Sequence, residues 1–189
     1  MQTADRRLEE VLAFWFPGPG RDKRWFDKDP EFDETVRRRF LAVHEAAAAG
    51  RLDSWMATAR GCLALILVLD QFPRNMFRGT ARAFATDAKA LEVARHAVEK
   101  GYDRSLSPVE RLFVYLPFEH AESLEAQDMA CRLTEPLNAY PETHDAHAYA
   151  LRHREIIQRF GRFPHRNAAL GRESTPEEVA FLATPGSSF

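Results

Sequence analysis

The sequence predicts a single all-α domain over residues 1–189, built from antiparallel helical hairpins. Apolar residues recur every three or four positions through nearly the whole chain, as they do on one face of a helix. Capping residues and prolines precede these segments, and glycines follow them. No segment shows the sustained alternation of a strand, so we expect essentially no sheet. The connections are short, which favours antiparallel packing of neighbouring helices.

Two helices are predicted before Gly50. Thr3 can cap the first, which runs from about Ala4 to Phe16. Asp29 can cap the second, with Pro30 in the first turn, where a missing N–H leaves no helical hydrogen bond unmade. Gly50 is typical of the residue that follows the end of a helix.

The most apolar segment is predicted to be the central helix, from about Arg60 to Phe72. It is apolar on nearly every side, which is typical of a helix buried on all faces. Pro73 is expected to break it, because proline has no N–H for the helical ladder. The longest apolar run, from Cys62 to Leu69, is far shorter than a membrane-spanning helix.

The remaining predicted helices lie in the second half of the chain. They run from about Thr86 to Lys100, from Ser107 to Pro117, from Ser123 to Asn138, from Thr143 to Phe160, and onward from Ser174. Ser107 and Glu110 form a capping box, and Pro117 is expected to kink or break the helix that they begin. Gly161 is expected to end the helix that reaches Phe160.

Composition and charge exclude several classes of protein. The hydrophobic fraction is 45% and the charged fraction 29%, which is typical of a globular chain and not of a disordered one. A net charge of −2 gives no reason to expect a nucleic-acid partner. Cys62 and Cys131 lie in apolar helical patterns and are expected to be buried and reduced. Met1–Arg7 lacks the apolar core of a signal peptide, and no segment could span a membrane, so we expect a cytoplasmic protein.

One short phrase occurs twice in the chain. Residues 72–75 read Phe-Pro-Arg-Asn, and residues 163–167 read Phe-Pro-His-Arg-Asn. Each follows an apolar helix, which predicts one polar centre built from two distant segments. Paired guanidiniums are well shaped for phosphate or carboxylate groups. The predicted ligand-binding residues are Asp70, Arg74, Asn75, Arg78, Arg162, Arg166 and Asn167.

A third polar segment follows Pro117 and contains Glu119, His120 and Glu122. Two carboxylates beside an imidazole can carry out acid–base chemistry, with one glutamate as the base and a histidine relaying protons. They could also hold a metal, but their spacing fits no specific zinc signature, so neither a metal nor another cofactor is predicted. The predicted catalytic residues are Glu119, His120, Glu122, His153 and His165.

Each of these features also has a purely structural interpretation. Asp70 can pair with an arginine, and the second arginine turn can tether the C-terminus through carboxylates. Glu119 and Glu122 can be counter-ions of the arginines, in a network that Asp87 could join. His153 can be a satisfied core residue. If instead all four arginines converge, they outnumber the nearby carboxylates and form a positive pocket.

Six segments carry a family resemblance. They are Phe14-Trp15-Phe16, Trp25-Phe26, Leu69-Asp70-Gln71-Phe72-Pro73-Arg74-Asn75, Leu116-Pro117-Phe118-Glu119-His120-Ala121-Glu122, Phe160-Gly161-Arg162-Phe163-Pro164-His165-Arg166-Asn167 and Leu170-Gly171-Arg172. Together they resemble a bacterial domain-of-unknown-function family, number nine-two-four, from about Leu8 to Phe189. The resemblance implies an all-helical, tetratricopeptide-like stack and brings no established activity. Ala121 stands where serine is common in that family, so no role is expected for a hydroxyl there.

Three functions are open from the sequence, and only the first is an enzyme. The first is a centre that binds a small anionic ligand and hydrolyses it, inside an enclosed cavity. The second is a tetratricopeptide-like module that binds an acidic peptide or a protein C-terminus in an open groove. The third is a polar network that only joins two helical parts of the domain.

Overall fold

The computed structural model describes residues 5–18, 20 and 22–188, and within these ranges the protein is all-α, as predicted, without strands. Its α-helices are α1 (Arg6–Trp15), α2 (Pro30–Ala48), α3 (Ala59–Ile66), α4 (Phe72–Met76), α5 (Asp87–Glu99), α6 (Pro108–His120), α7 (Leu124–Thr134), α8 (Ala146–Phe160) and α9 (Pro176–Leu182). No helix in the same ranges combines the length and the apolar character needed to cross a membrane.

Most of the predicted helix ends are confirmed by local hydrogen bonds. The side chain of Asp29 caps α2, and Pro30 lies in its first turn. Ser107 and Glu110 form the predicted capping box of α6. Gly161 follows α8 with a φ of 71°, a left-handed conformation that glycine adopts without strain. These ends depend only on residues that are close in sequence.

The cap of α1 differs from the prediction. Asp5 accepts a hydrogen bond from the backbone N–H of Arg7 and so caps the helix. The predicted cap, Thr3, lies outside the described residues. Asp5 also accepts a hydrogen bond from the indole N–H of Trp55 at 3.0 Å. The cap therefore joins α1 to the segment that precedes α3.

The central helix is longer than predicted, because Pro73 does not break it. α3 continues through a π-helical turn, Leu67–Gln71, into α4, whose first turn contains Pro73. In this turn the N–H of Phe72 bonds to the carbonyl of Leu67, five residues back. Such a turn inserts one extra residue into the helix, and π turns of this kind are frequent at functional sites. Proline therefore changes the hydrogen-bonding pattern and leaves the helix continuous.

Three consecutive carbonyls in this helix accept hydrogen bonds from side chains. The pairs are Nδ1 of His44 with Val68 at 3.0 Å, the hydroxyl of Thr86 with Leu69 at 2.5 Å, and Nη1 of Arg74 with Asp70 at 2.6 Å. In a regular α-helix the carbonyl of Leu69 would bond to the N–H that Pro73 lacks. The hydroxyl of Thr86 replaces that bond, so a buried carbonyl keeps a partner.

Pro117 lies inside α6 and does not break it, so of the predicted kink or break the break is not found. The helix continues for three more residues, to His120. At this end of the helix, Nε2 of Gln127 in α7 donates to the carbonyls of Glu119 and Ala121 at 2.7 and 2.8 Å. α7 therefore fixes the end of α6, where two predicted site residues lie.

The central helix packs against α2, α5 and α6, and α5, α6 and α7 each pack on the next helix in the chain. The ring centroid of Trp15 lies 5.5 Å from that of Phe72 and 5.7 Å from that of Phe113. Phe72, the phenylalanine of the first phrase, therefore belongs to the core. Cys62 is buried, Cys131 is half-buried, and both are free thiols. Packing between chain neighbours fits helical hairpins, and the tetratricopeptide-like stack stays a prediction.

Replacing Thr86 by valine should lower the free energy of unfolding by about 1–3 kcal/mol, because the buried carbonyl of Leu69 loses its hydrogen bond. Chemical denaturation measures this loss. The control is Thr184→Val, which removes a hydroxyl that also donates to a carbonyl but at an exposed position, where water can replace it. Equal losses in the two variants would contradict the role assigned to Thr86.

Candidate functional site

Asp70 lies in the π turn and has no exposed surface. Its Oδ1 accepts a hydrogen bond from Nδ1 of His120 at 2.7 Å and lies 3.2 Å from Nη1 of Arg74. Its Oδ2 accepts a hydrogen bond from Nε2 of Gln71 at 2.6 Å. Burial alone would raise the pKa of Asp70, but the charge of Arg74 and the two hydrogen bonds outweigh burial and hold it well below its usual range. Asp70 is therefore an ionised carboxylate.

His120 is held by this carboxylate in one tautomer. A carboxylate only accepts hydrogen bonds, so Nδ1 of His120 carries the proton and Nε2 is the acceptor. Burial and the charge of Arg74 lower the pKa of His120, which keeps the ring neutral. Nε2 bonds to none of the described residues, and 14% of the side chain is exposed. The ring can therefore accept a proton at an atom that solvent reaches.

Arg74 and Arg166, one from each phrase, meet at Asp87, the first residue of α5. Arg74 donates two hydrogen bonds to this carboxylate, at 2.9 and 3.0 Å. Nη1 of Arg166 lies 3.6 Å from Oδ2 of Asp87 and donates to the carbonyl of His120 at 2.9 Å. One carboxylate thus brings the two phrases together in space.

Arg166 is almost wholly buried, with 6% of its surface exposed. Its guanidinium lies between the rings of Phe84 and Phe163, 4.7 and 4.4 Å from their centroids. Burial and the neighbouring charge of Arg74 lower the pKa of Arg166 to about 10, so the group stays charged at neutral pH. Its Nε has no hydrogen-bonding partner among the described residues. A charged N–H donor is therefore unused inside the centre.

Glu119 is the second acid of the centre, and its protonation is opposite to that of Asp70. It is 1% exposed, and burial together with the charge of Asp70 raises its pKa to about 8. Glu119 is therefore protonated at neutral pH. Its Oε2 lies 3.6 Å from Nδ1 of His153, and its Oε1 bonds to no residue in the described ranges. Environments that shift the pKa values of two carboxyl groups in opposite directions are typical of a pair in which one group acts as an acid and the other as a base.

The two other predicted histidines lie near the same centre, His153 buried and His165 half-buried. Nδ1 of His153 donates to the carbonyl of Tyr149 at 2.8 Å, and its ring centroid lies 6.2 Å from that of His120. Burial, reinforced by neighbouring positive charge, lowers the pKa of His153 to about 3 and that of His165 to about 4. Both rings pack against Phe163, with centroids 5.7 Å apart. They add no charge to the centre at physiological pH.

Arg78 and Asn75 bind a different carboxylate. Nε and Nη2 of Arg78 donate to the two oxygens of Asp33 at 2.8 and 2.9 Å. Nδ2 of Asn75 donates to the same carboxylate at 2.7 Å. Asp33 belongs to α2, so these contacts tie α2 to α4 and its following turn.

Arg162 and Asn167 repeat this arrangement at the second phrase. Nε and Nη2 of Arg162 donate to the two oxygens of Glu178 at 2.7 and 2.8 Å. Nδ2 of Asn167 donates to the same carboxylate at 3.2 Å. The hydrogen bonds from Arg162 lower the pKa of Glu178 to about 2. Glu178 belongs to α9, so these contacts tie the last helix to the body of the domain.

Glu122 is the counter-ion of an arginine. Its oxygens accept hydrogen bonds from Nη1 and Nη2 of Arg172 at 2.7 and 2.9 Å and from the backbone N–H of Phe163 at 2.8 Å. Burial opposes ionisation, but these contacts hold the pKa of Glu122 below its usual range. Glu122 is therefore a fixed carboxylate that supports the second phrase from one side.

The expectation that four arginines share one centre is wrong for two of them. Arg74 and Arg166 share it, and Asp70 and Asp87 balance their charges, so the predicted surplus of positive charge is not found there. The carboxylates that bind the other two arginines were not among the candidates. The signal that sequence offers for Glu178 is its place in a capping box, which says nothing of a distant arginine.

The centre is nearly closed to solvent. Two surface cavities, of about 200 and 470 Å³, lie elsewhere on the protein. Solvent reaches the centre along the partly exposed side chains of His120, Arg74 and Asp87. No three histidine, cysteine or acidic side chains of the described part of the chain are arranged to hold a metal ion. A ligand would approach the centre past the exposed parts of His120, Arg74 and Asp87.

Comparisons with known proteins place the chain without assigning an activity. A family model described as "Bacterial protein of unknown function (DUF924)" matches residues 11–186. The chain is also similar to a solved structure, that of the protein of unknown function ATU0120 from Agrobacterium tumefaciens. The two are 47% identical, the match covers 94% of this chain and 97% of that one, and the TM-score is 0.86. The search of curated proteins gave no significant match.

The raised pKa of Glu119 makes part of the folding free energy depend on pH. The unfolded chain loses this proton near pH 4.5 and the folded protein near pH 8. The contribution is therefore complete below pH 4.5 and is lost as pH rises to 8. Relative to Glu119→Gln, whose amide is always neutral, the wild type should lose up to about 1.4 kcal/mol per pH unit in this window.

Urea denaturation of both proteins at several pH values measures this difference. The control is Glu125→Gln, which replaces a glutamate at an exposed position. Parallel curves for Glu119→Gln and the wild type would show that Glu119 is ionised in the folded protein.

Proposed function

The chain belongs to the bacterial family of proteins of unknown function DUF924, and we propose that its polar centre binds a small anionic ligand and hydrolyses it. The observation that carries the proposal is the 2.7 Å hydrogen bond between Asp70 and His120, beside the protonated Glu119. A base, an acid and a group that orients the base are the parts that general acid–base hydrolysis needs.

His120 is the proposed general base. Asp70 fixes its ring with the proton on Nδ1 and stabilises the positive charge that the ring gains when Nε2 accepts a second proton. Carboxylate–histidine pairs divide the work in this way in many hydrolases. The low pKa of Asp70 supports this role, because the carboxylate stays charged while the imidazole titrates.

Glu119 is the proposed general acid, and Arg166 is the proposed anchor of the anionic group. A carboxyl group whose pKa is about 8 carries a proton to donate at neutral pH, so Glu119 acts as the acid here and not as the base. Nε of Arg166 is a buried charged donor, and a charge-assisted hydrogen bond from it would hold a phosphate or carboxylate oxygen.

In the proposed reaction, a water molecule gives a proton to Nε2 of His120 while its oxygen forms a bond to the carbonyl carbon or phosphorus of the ligand. The bond from that atom to the leaving oxygen breaks, and Glu119 donates its proton to that oxygen. A proton then returns from His120 to Glu119 through solvent, which restores both groups.

A purely structural network is the second candidate, because Arg74 is fully paired with Asp70 and Asp87. Such a network can fix how helices pack without binding a ligand. It leaves Oε1 of Glu119 and Nε of Arg166 without partners among the described residues, which favours the ligand site. The tetratricopeptide-like module for acidic peptides needs an open groove, and the nearly closed centre does not offer one.

Binding at the centre is tested by thermal shift with inorganic phosphate and a set of phosphorylated and carboxylated metabolites. At least one compound should raise the Tm of the wild type. For at least one of these compounds Arg166→Lys should abolish the rise, because lysine keeps the charge but lacks the guanidinium Nε–H. Arg159→Lys, at an exposed arginine of α8, is the control. If every rise survives Arg166→Lys unchanged, the polar centre does not bind these compounds.

Hydrolysis is tested with p-nitrophenyl phosphate and p-nitrophenyl acetate. His120→Gln should lower kcat by about 100- to 10,000-fold, because glutamine can still donate to Asp70 but cannot act as a base. The rate of the wild type should fall above pH 8 as Glu119 ionises. His144→Gln, at an exposed histidine, is the control and should keep full activity. A change in stability without a change in rate would support the structural candidate.

A further inference from the structure

A groove lined by arginines opens at the C-terminal end of α4. Its volume of about 470 Å³ is in the range of small-molecule sites. The side chains that line it and matter here are Arg37, Met76, Phe77, Arg78, Thr80 and Arg82. They come from α2, from the end of α4 and its turn, and from the 3₁₀ turn Ala81–Phe84. None of them belongs to the polar centre.

The lining of this groove carries three guanidiniums and no carboxylate. Arg37 and Arg82 form no ion pair with any described residue. Arg78 binds Asp33 through Nε and Nη2, so its Nη1 has no hydrogen-bonding partner in the described ranges. The groove therefore has the surplus of positive charge that the polar centre lacks.

The remaining walls of the groove are largely apolar. Met76, Phe77 and Ala81 line it, and the first two are almost buried. The guanidinium of Arg82 stacks on the ring of Phe77, 3.9 Å from its centroid. Stacking orients the guanidinium without using its N–H groups, which are left as donors. Guanidinium groups and apolar side chains thus line the same space.

We propose that this groove binds a small organic anion, whose phosphate or carboxylate group contacts the three guanidiniums. Its apolar part packs against Met76 and Phe77. Guanidinium forks match the paired oxygens of such groups, and the apolar walls favour a ligand with a carbon body over an inorganic ion. The proposal is independent of hydrolysis at the polar centre, because the two sites share no residue.

Isothermal titration calorimetry with phenyl phosphate and inorganic phosphate tests the groove. Phenyl phosphate should bind saturably and more tightly than inorganic phosphate, because it alone has an apolar body. Arg37→Ala and Arg82→Ala should each weaken its affinity by about tenfold or more, since each removes a charge-assisted contact. Arg38→Ala, at the next exposed arginine of α2, is the matched control and should bind like the wild type.

Arg166→Lys separates the two sites, because it alters the polar centre and should leave binding in the groove unchanged. Binding that depends on Arg166 and not on Arg37 would overturn the proposal for the groove and would place the ligand at the polar centre. Absence of saturable binding, equal affinity for the two phosphates, or an equal loss in Arg38→Ala would also overturn the proposal. A pentaglutamate peptide that binds more tightly than phenyl phosphate would overturn the assignment to a small molecule.

Discussion

A carboxylate without any exposed surface has to be stabilised by its neighbours, and Asp70 sets the arrangement of the domain around it for this reason. Arg74 supplies the opposite charge, and His120 supplies a hydrogen bond. Arg74 is in turn held by Asp87, which also faces Arg166. Charges of alternating sign therefore run from the central helix to the second phrase and connect the segments that carry them.

Each copy of the doubled phrase makes two separate connections. In each copy the arginine faces Asp87, while the asparagine helps to bind a carboxylate from an outer helix. Asn75 shares Asp33 of α2 with a nearby arginine, and Asn167 shares Glu178 of α9 in the same way. Each phrase thus attaches one outer helix to the polar centre. Its repetition reflects two equivalent attachments, and only the arginines belong to the candidate site.

The features that depend on residues close in sequence were predicted correctly. The predictions failed where a residue distant in sequence determines the structure. Asp29 and Ser107 cap their helices as predicted, because capping involves residues within one turn. Pro73 does not break its helix, because the hydroxyl of Thr86 replaces the missing hydrogen bond, and no local pattern indicates that. For the site, the residue types were predictable from the phrases. The protonation of Glu119 was not, because it depends on complete burial beside another carboxylate.

The joint contact with Asp87 also bears on how the chain folds. Arg74 and Arg166 lie about ninety residues apart, and closing a loop of that length has an entropic cost that only the completed packing offsets. We expect this contact to form late in folding. The raised pKa of Glu119 comes from burial and from the charge of Asp70, so it belongs to the packed domain and not to a chain whose helices have yet to meet.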